Sequence, residues 1–276
     1  MTEPKTRPGK YAEEDQAIAR LREELKQRFP MPDPKPRKKG LAATTAVLLS
    51  VALLATLAWT DPAYRSEHYR TQIGERQAVR LADGSRVTLD GASELDVSWH
   101  LFSRRTDLLG GQALFEVAPR VYRPFLVDAG SVSIRVVGTS FNVDRQADEV
   151  RVSVAEGRVA VQAGDADREL GPGQQVRVGN GHLGSVAAVA TGDVGAWHSG
   201  QLIFERTPLS EVLAVIQRYQ DKSVHLQDPR LATLPVSGVF DSAHVERLLA
   251  LLPSILPVQL GTAADGSVLI SPSGKK

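Results

Sequence analysis

Val79-Arg80-Leu81-Ala82-Asp83-Gly84-Ser85-Arg86-Val87-Thr88-Leu89 sets two short apolar alternations around an Asp-Gly pair. Asp-Gly tolerates the backbone of a tight hairpin turn, so the stretch predicts two antiparallel strands. The same texture runs from 74 to 192. Further strands are expected over Glu94–Val97, Ala113–Val117, Phe125–Val127, Val132–Val137, Phe141–Val143, Val150–Val154, Arg158–Val161 and Gln174–Val178. Nothing in this region holds a helical period beyond one turn. Many short strands with frequent turns indicate an all-β sandwich, barrel or solenoid, and a sandwich or β-solenoid-like domain is expected.

From Trp197 the pattern changes. Leu202-Ile203-Phe204 reads as a strand. Pro208 to Tyr219 reads as a helix with Leu209, Val212, Leu213, Ile216 and Tyr219 on its apolar face. Thr207 is its expected N-cap, with Pro208 in the first turn. Val224–Leu226 and Val236–Phe240 are expected strands, and Ala243 to Leu252 a second helix with Ser242 as a cap. Val258–Leu260 and Val268–Ile270 follow. The order is a small α+β module, β-α-β-β-α-β-β, over 197–271, and the tail Ser271–Lys276 is expected to be disordered.

On the N-terminal side, Gly40 to Trp59 is about twenty residues without a charge, long enough as one helix to cross a hydrocarbon core. Lys35, Arg37, Lys38 and Lys39 stand before it, which predicts a cytoplasmic N-terminus and a periplasmic C-terminus. A cleaved leader fits less well, because about forty residues precede the run and the run exceeds a usual leader's apolar stretch. Trp59, at the end of the run, and Tyr64, in a linker over 60–73, would lie at the outer interface. In the arm, 1–39, Tyr11 to Phe29 lacks Pro and Gly. Ile18, Leu21, Leu25 and Phe29 recur there at helical spacing, a narrow stripe that calls for a partner. Pro30, Pro32, Pro34 and Pro36 form a stiff spacer.

Net charge is +1 and there is no cysteine, so no global field invites nucleic acid and no disulfide supports the fold. The six histidines are scattered, with none at metal-ligand spacing. No Gly-x-Ser-x-Gly, no phosphate-binding Gly loop before a helix and no paired catalytic carboxylates are present. Gly171-Pro172-Gly173 and Gly179-Asn180-Gly181 read as turns. The expectation is a protein without cofactor or metal that is not an enzyme toward external substrates.

The β region carries a succession of motifs over 71–178: Thr71-x-x-Gly74-Glu75-Arg76, then Val79-Arg80-Leu81-x-Asp83-Gly84-Ser85-x-Val87-x-Leu89 and Ser93-x-Leu95. Leu108-x-Gly110-Gly111-x-Ala113-x-Phe115-Glu116-Val117 and Pro124-Phe125-x-Val127 come next. Val136-Val137-Gly138-Thr139-x-Phe141-x-Val143 and Val152-x-Val154-x-Glu156-Gly157-x-Val159 close it. In these the chain resembles the FecR family of transmembrane regulators of extracytoplasmic-function sigma factors. The last eighty or so residues look like the short domain near the N-termini of secretins and TonB-dependent receptors.

The resemblance implies an inner-membrane, single-pass signal transducer. A TonB-dependent outer-membrane receptor, often one taking up an iron chelate, would act through its periplasmic signalling domain on the periplasmic part. The cytoplasmic arm would then inhibit, or after envelope proteases act assist, an extracytoplasmic-function sigma factor. Ile18, Leu21, Leu25 and Phe29 are the expected sigma contact. Leu202, Ile203, Phe204, Val236, Val239 and Phe240 are the expected receptor contact, through strand addition. Gly138-Thr139 matches a place where some family members cleave themselves, the Thr hydroxyl attacking the preceding carbonyl. The arm departs from the family: the usual one is longer, helical and contains tryptophans, and this one is about forty residues without any. The competing reading is a membrane-tethered module that docks on a secretin or envelope machine.

Overall fold

The structure, a computed structural model, describes residues 12–30, 39–147 and 149–273, with side-chain surroundings for all of these but 12, 13 and 39–44. The chain divides into two units, Met1–Thr56 and Leu57–Lys276. In the first, helix α1 (Ala12–Arg28) ends with Lys26 and Arg28 in its last turn, where cations suit the helix dipole. Ile18, Leu21, Leu25 and Phe29 are all exposed. Pro32, Pro34, Pro36 and the basic residues Lys35, Arg37 and Lys38 lie outside the described residues, as do Gly274, Lys275 and Lys276.

Helix α2 (Lys39–Thr60) forms where the apolar run predicts a helix. The expected single transmembrane helix over Gly40–Trp59 is corrected: among the described residues no helix is long and apolar enough to cross a membrane. The described side chains run from Thr45 to Thr60, about 24 Å of helix against a hydrocarbon core of about 30 Å. Thr45, Ser50, Thr56 and Thr60 interrupt the apolar surface, and Ser50 and Thr56 return their hydroxyls to the carbonyls of Ala46 and Ala52.

The second unit is built on one long strand, Arg104–Glu116. Its first half pairs antiparallel with Glu94–His100 and parallel with Phe125–Ala129. Its second half pairs antiparallel with Arg86–Leu89 and Ser140–Gln146. The strand turns between the two ladders at Gly110-Gly111. Gly111 has φ +81°, and a Cβ there would lie 2.3 Å from Ser93 Oγ. The bend lets one strand serve two halves of a fourteen-stranded sheet. The ends of the strand path, Ala166–Leu170 and Gln174–Gly179 with His182–Leu183, touch without pairing. The sheet is therefore nearly closed and barrel-like, which corrects the expected sandwich or β-solenoid-like stack. Its interior holds Leu89, Leu108, Phe115, Phe125, Ile134, Phe141 and a lining of valines. Phe115 stacks on Phe141 at 5.1 Å and meets Phe125 edge-on at 6.2 Å.

The last part has a two-stranded ribbon, Gln201–Pro208 with Pro235–Asp241, and a three-stranded sheet of Val224–Leu226, Val268–Pro272 and Val258–Thr262. Helices α3 (Leu209–Ile216) and α4 (Val245–Ile255) cover a second core. Thr207 does not cap α3: it pairs with Val236 in the ribbon, and Pro208 occupies the cap position. Asp241, not Ser242, receives the amide of Ala243 at the turn before α4. Ser271 and Pro272 belong to a strand opposite Gln259 and Val258, so the expected disordered tail does not begin at Ser271.

Gly111→Ala forces a side chain onto Ser93 at a left-handed φ. Overpacking of this kind costs about 1–3 kcal/mol. Urea denaturation of the variant should show a lower midpoint with unchanged slope; an unchanged midpoint would show that the bend tolerates a side chain.

Candidate functional site

Along Arg104–Glu116 successive side chains face opposite sides. Phe115 enters the barrel interior, while Leu114 joins the second core with Trp197. Around Leu114 the barrel and the C-terminal module meet in a polar seam. The chain beyond α3 brings Arg218 and Tyr219 onto the sheet. The Arg218 carbonyl accepts from Gly74 N at 2.8 Å. At Gly91 a Cβ would lie 2.4 Å from that same oxygen, so the backbones approach more closely than any side chain allows. The Arg218 guanidinium donates to Gln112 Oε1 at 2.6 Å and pairs with Asp144. Both charged side chains are buried, 7% and 5% exposed.

Five further contacts extend the seam. Tyr219 donates its hydroxyl to both carboxylate oxygens of Asp90, at 2.8 Å each. Trp197 Nε1 donates to Asn142 Oδ1 at 2.9 Å, and Gln112 Nε2 donates to the same oxygen at 3.3 Å. Glu211, in the first turn of α3, pairs with Arg151 and with Arg177, the latter at 2.7 Å. A cavity of about 180 Å³ opens beside them, lined by Asp144, Arg151, Arg177, Trp197 and Glu211.

Burial pushes the Asp90 carboxyl above its ordinary value, against the hydrogen bond from Tyr219 and the charge of Arg218. Burial also raises the Tyr219 phenol, with Asp90 adding to it. For Arg218, burial works against the cation, yet the Asp144 carboxylate holds its pKa above the usual value. Burial lowers Arg151. The arrangement aligns charges between two modules. Among the described residues no group of His, Cys, Asp or Glu is placed to hold a metal ion.

The structure brings all six expected receptor-contact residues into one ribbon. Leu202 stands opposite Phe240 and Ile203 opposite Val239, and the rings of Phe204 and Phe240 lie 6.0 Å apart. Leu202, Phe204 and Val236 are buried in the second core, Ile203 and Phe240 are half-buried, and Val239 is exposed. Thr139 is buried, and its hydroxyl donates to the Arg158 carbonyl at 3.2 Å. Gly138 lies against Pro119, where a Cβ would come within 2.6 Å of the ring. The sequence reading missed Asp90, Asp144, Glu211, Arg218 and Tyr219. The available signal was the polar set Gln112, Asn142, Asp144, Arg151 and Ser153, which occupies outward positions on three neighbouring strands.

Two family models match the chain: FecR protein over residues 67–160, and FecR, C-terminal, over 201–270. Two crystal structures, each of a candidate anti-sigma factor from Parabacteroides distasonis, share the fold with TM-scores of 0.69. They are 24% and 25% identical to this chain, cover 76% and 75% of it, and are themselves covered in full. No curated protein matches the chain.

Removing one partner of a buried ion pair costs about 3–5 kcal/mol, whereas an apolar isostere is often tolerated. Arg218→Ala should therefore lower the urea midpoint strongly and Arg218→Met less; equal, small effects would show that the pair is dispensable. The pH dependence follows from the sign of the Asp90 shift. A carboxyl whose folded pKa lies above 3.8 contributes most below that value and loses its contribution as pH rises through the folded pKa. Asp90→Asn should flatten the decline of stability above about pH 4, measured by denaturation across a pH series.

Proposed function

We propose that this chain, which belongs to the FecR family, regulates an extracytoplasmic-function sigma factor in response to a TonB-dependent receptor. The arm helix α1 is the sigma-binding element, through Ile18, Leu21, Leu25 and Phe29. The part from Ala63 onward is the sensing part, and its C-terminal module meets the receptor's signalling domain. The observation that carries the reading is the pair of FecR-type matches in tandem, joined to a helix whose apolar stripe stands exposed.

Support for the receptor surface comes from the ribbon. Gln201–Pro208 and Pro235–Asp241 pair only with each other among the described strands, and an outer ribbon edge can accept an added strand. Val239 offers an exposed side chain there, while Leu202, Phe204 and Val236 support the ribbon from beneath. The likeness to the Parabacteroides distasonis structures, described as candidate anti-sigma factors, agrees with the sigma-regulating half of the reading.

The test acts on the stripe. Leu21→Asp with Leu25→Asp puts two carboxylates where apolar contact is needed, and losing two buried leucines costs about 4–10 kcal/mol of binding. The variant should fail to co-purify with the sigma factor while its β-rich part melts unchanged. Undiminished co-purification would place the contact elsewhere.

A further inference from the structure

Three segments meet where the strand Ala63–Arg70 begins. Asp61 accepts from the Phe102 amide at 2.9 Å and from the Ser103 hydroxyl at 2.6 Å. Arg123 donates to the Ser103 carbonyl at 3.2 Å, to the Tyr64 hydroxyl at 3.0 Å, and to the His100 carbonyl. Residues 59–64, 100–103 and 118–123 thus form one tip. Its outer side chains are apolar and aromatic: Tyr122 is 98% exposed, Trp59 91% and Val121 75%, with Tyr64, Leu101 and Phe102 more than half exposed. A single exposed apolar residue is ordinary, but six on one tip mark an interaction surface.

Behind the tip lies a cavity of about 520 Å³, lined by Tyr64, Asp83, Trp99, Arg120, Tyr122 and Arg123. Its charge is positive. Arg104 takes the Asp83 carboxylate at 2.6 Å. Among the described residues the Arg120 guanidinium meets only the Asp83 carbonyl, at 3.4 Å, and the Arg123 guanidinium only the two carbonyls and the phenol named above. Of the three buried side-chain donors without an acceptor among the described residues, two are Trp99 Nε1, in the cavity wall, and Arg104 Nη2, on the partner of Asp83. Guanidinium groups suit phosphate oxygens through parallel N–H donors.

We propose that this tip docks on an anionic phospholipid surface. Arg120, Arg123 and the Trp99 N–H take the headgroup phosphate, and Trp59, Leu101, Phe102, Val121 and Tyr122 enter the interfacial zone. Amphipathic aromatic rings beside cations are what a membrane–water boundary selects. A soluble anion would need the charges and leave the apolar tip without a role. Docking of this kind requires no helix that crosses the bilayer, and it is independent of the sigma-factor reading.

The chain has no cysteine, so Tyr122→Cys gives a single labelling site in the full-length protein, and Asp165→Cys, in an exposed turn elsewhere on the barrel, gives the control. Each is labelled with an environment-sensitive fluorophore and mixed with phosphatidylcholine vesicles, with or without phosphatidylglycerol. The label at 122 should shift to the blue and be quenched by lipid-borne quencher, more so with phosphatidylglycerol, while the label at 165 stays unchanged. Arg120→Gln should weaken partition about fivefold, the worth of one arginine near an anionic surface. Equal responses at both positions, or no response at 122, overturn the proposal. So does a shift at 122 given by inorganic phosphate alone, or one given by the receptor's signalling domain and not by vesicles.

Discussion

The strand Arg104–Glu116 is the constraint on which the rest of the second unit depends. Its two halves pair with different partners on both sides, and Gly111 makes the turn between them. At one end Arg104 is buried between Asp83 and the face of Phe125, 5.3 Å from the ring centroid. At the other end Phe115 fills the barrel, Leu114 enters the second core, and Gln112 holds Arg218. One segment thereby links the tip loops, the barrel interior and the C-terminal module. A shift in its register by one residue would exchange Leu114 with Phe115 and take both cores apart at once.

Much of this was legible in local pattern. Asp83-Gly84 between Val79–Leu81 and Val87–Leu89 carries its own turn chemistry, and those segments do pair, Val79 opposite Val87. The apolar face of α3, Leu209, Val212, Leu213 and Ile216, follows from spacing alone and is buried. The closure of the sheet was not legible, because it depends on which strands Arg104–Glu116 touches at each end. Those partners come from as far as Phe125 and Ser140 in sequence, and no local period encodes them. Apolarity and length of Gly40–Trp59 predicted a membrane-spanning helix; a helix forms there, but among the described residues none is long and apolar enough to cross a bilayer.

The seam was hidden for a different reason. Asn142, Asp144 and Ser153 alternate with core valines and read as the solvated face of a half-buried sheet. Only when α3 and the following Arg218 and Tyr219 lie over that face do these polar residues become buried partners. Glu211 reads equally well as an ordinary acidic residue in a helix first turn. Its pairing with Arg151 and Arg177 gives it a second role that no helical pattern contains.

A seam of buried charges differs from an apolar one in what it enforces. Desolvating Arg218 and Asp144 consumes most of what their attraction returns, so the pair is weak evidence of net stabilisation. Misalignment is another matter, because any rotation of the module strands a charge in a low-dielectric site. Tyr219 on Asp90 and Trp197 on Asn142 add directional bonds on either side of the pair. The seam therefore favours one orientation of the C-terminal module on the barrel over neighbouring ones. The ribbon strand Gln201–Pro208 runs straight into α3 at Pro208–Leu209, and the chain beyond α3 carries Arg218, which Gln112 ties to the strand that organises the barrel. The orientation of the module is thus set by the same segment that divides the two cores.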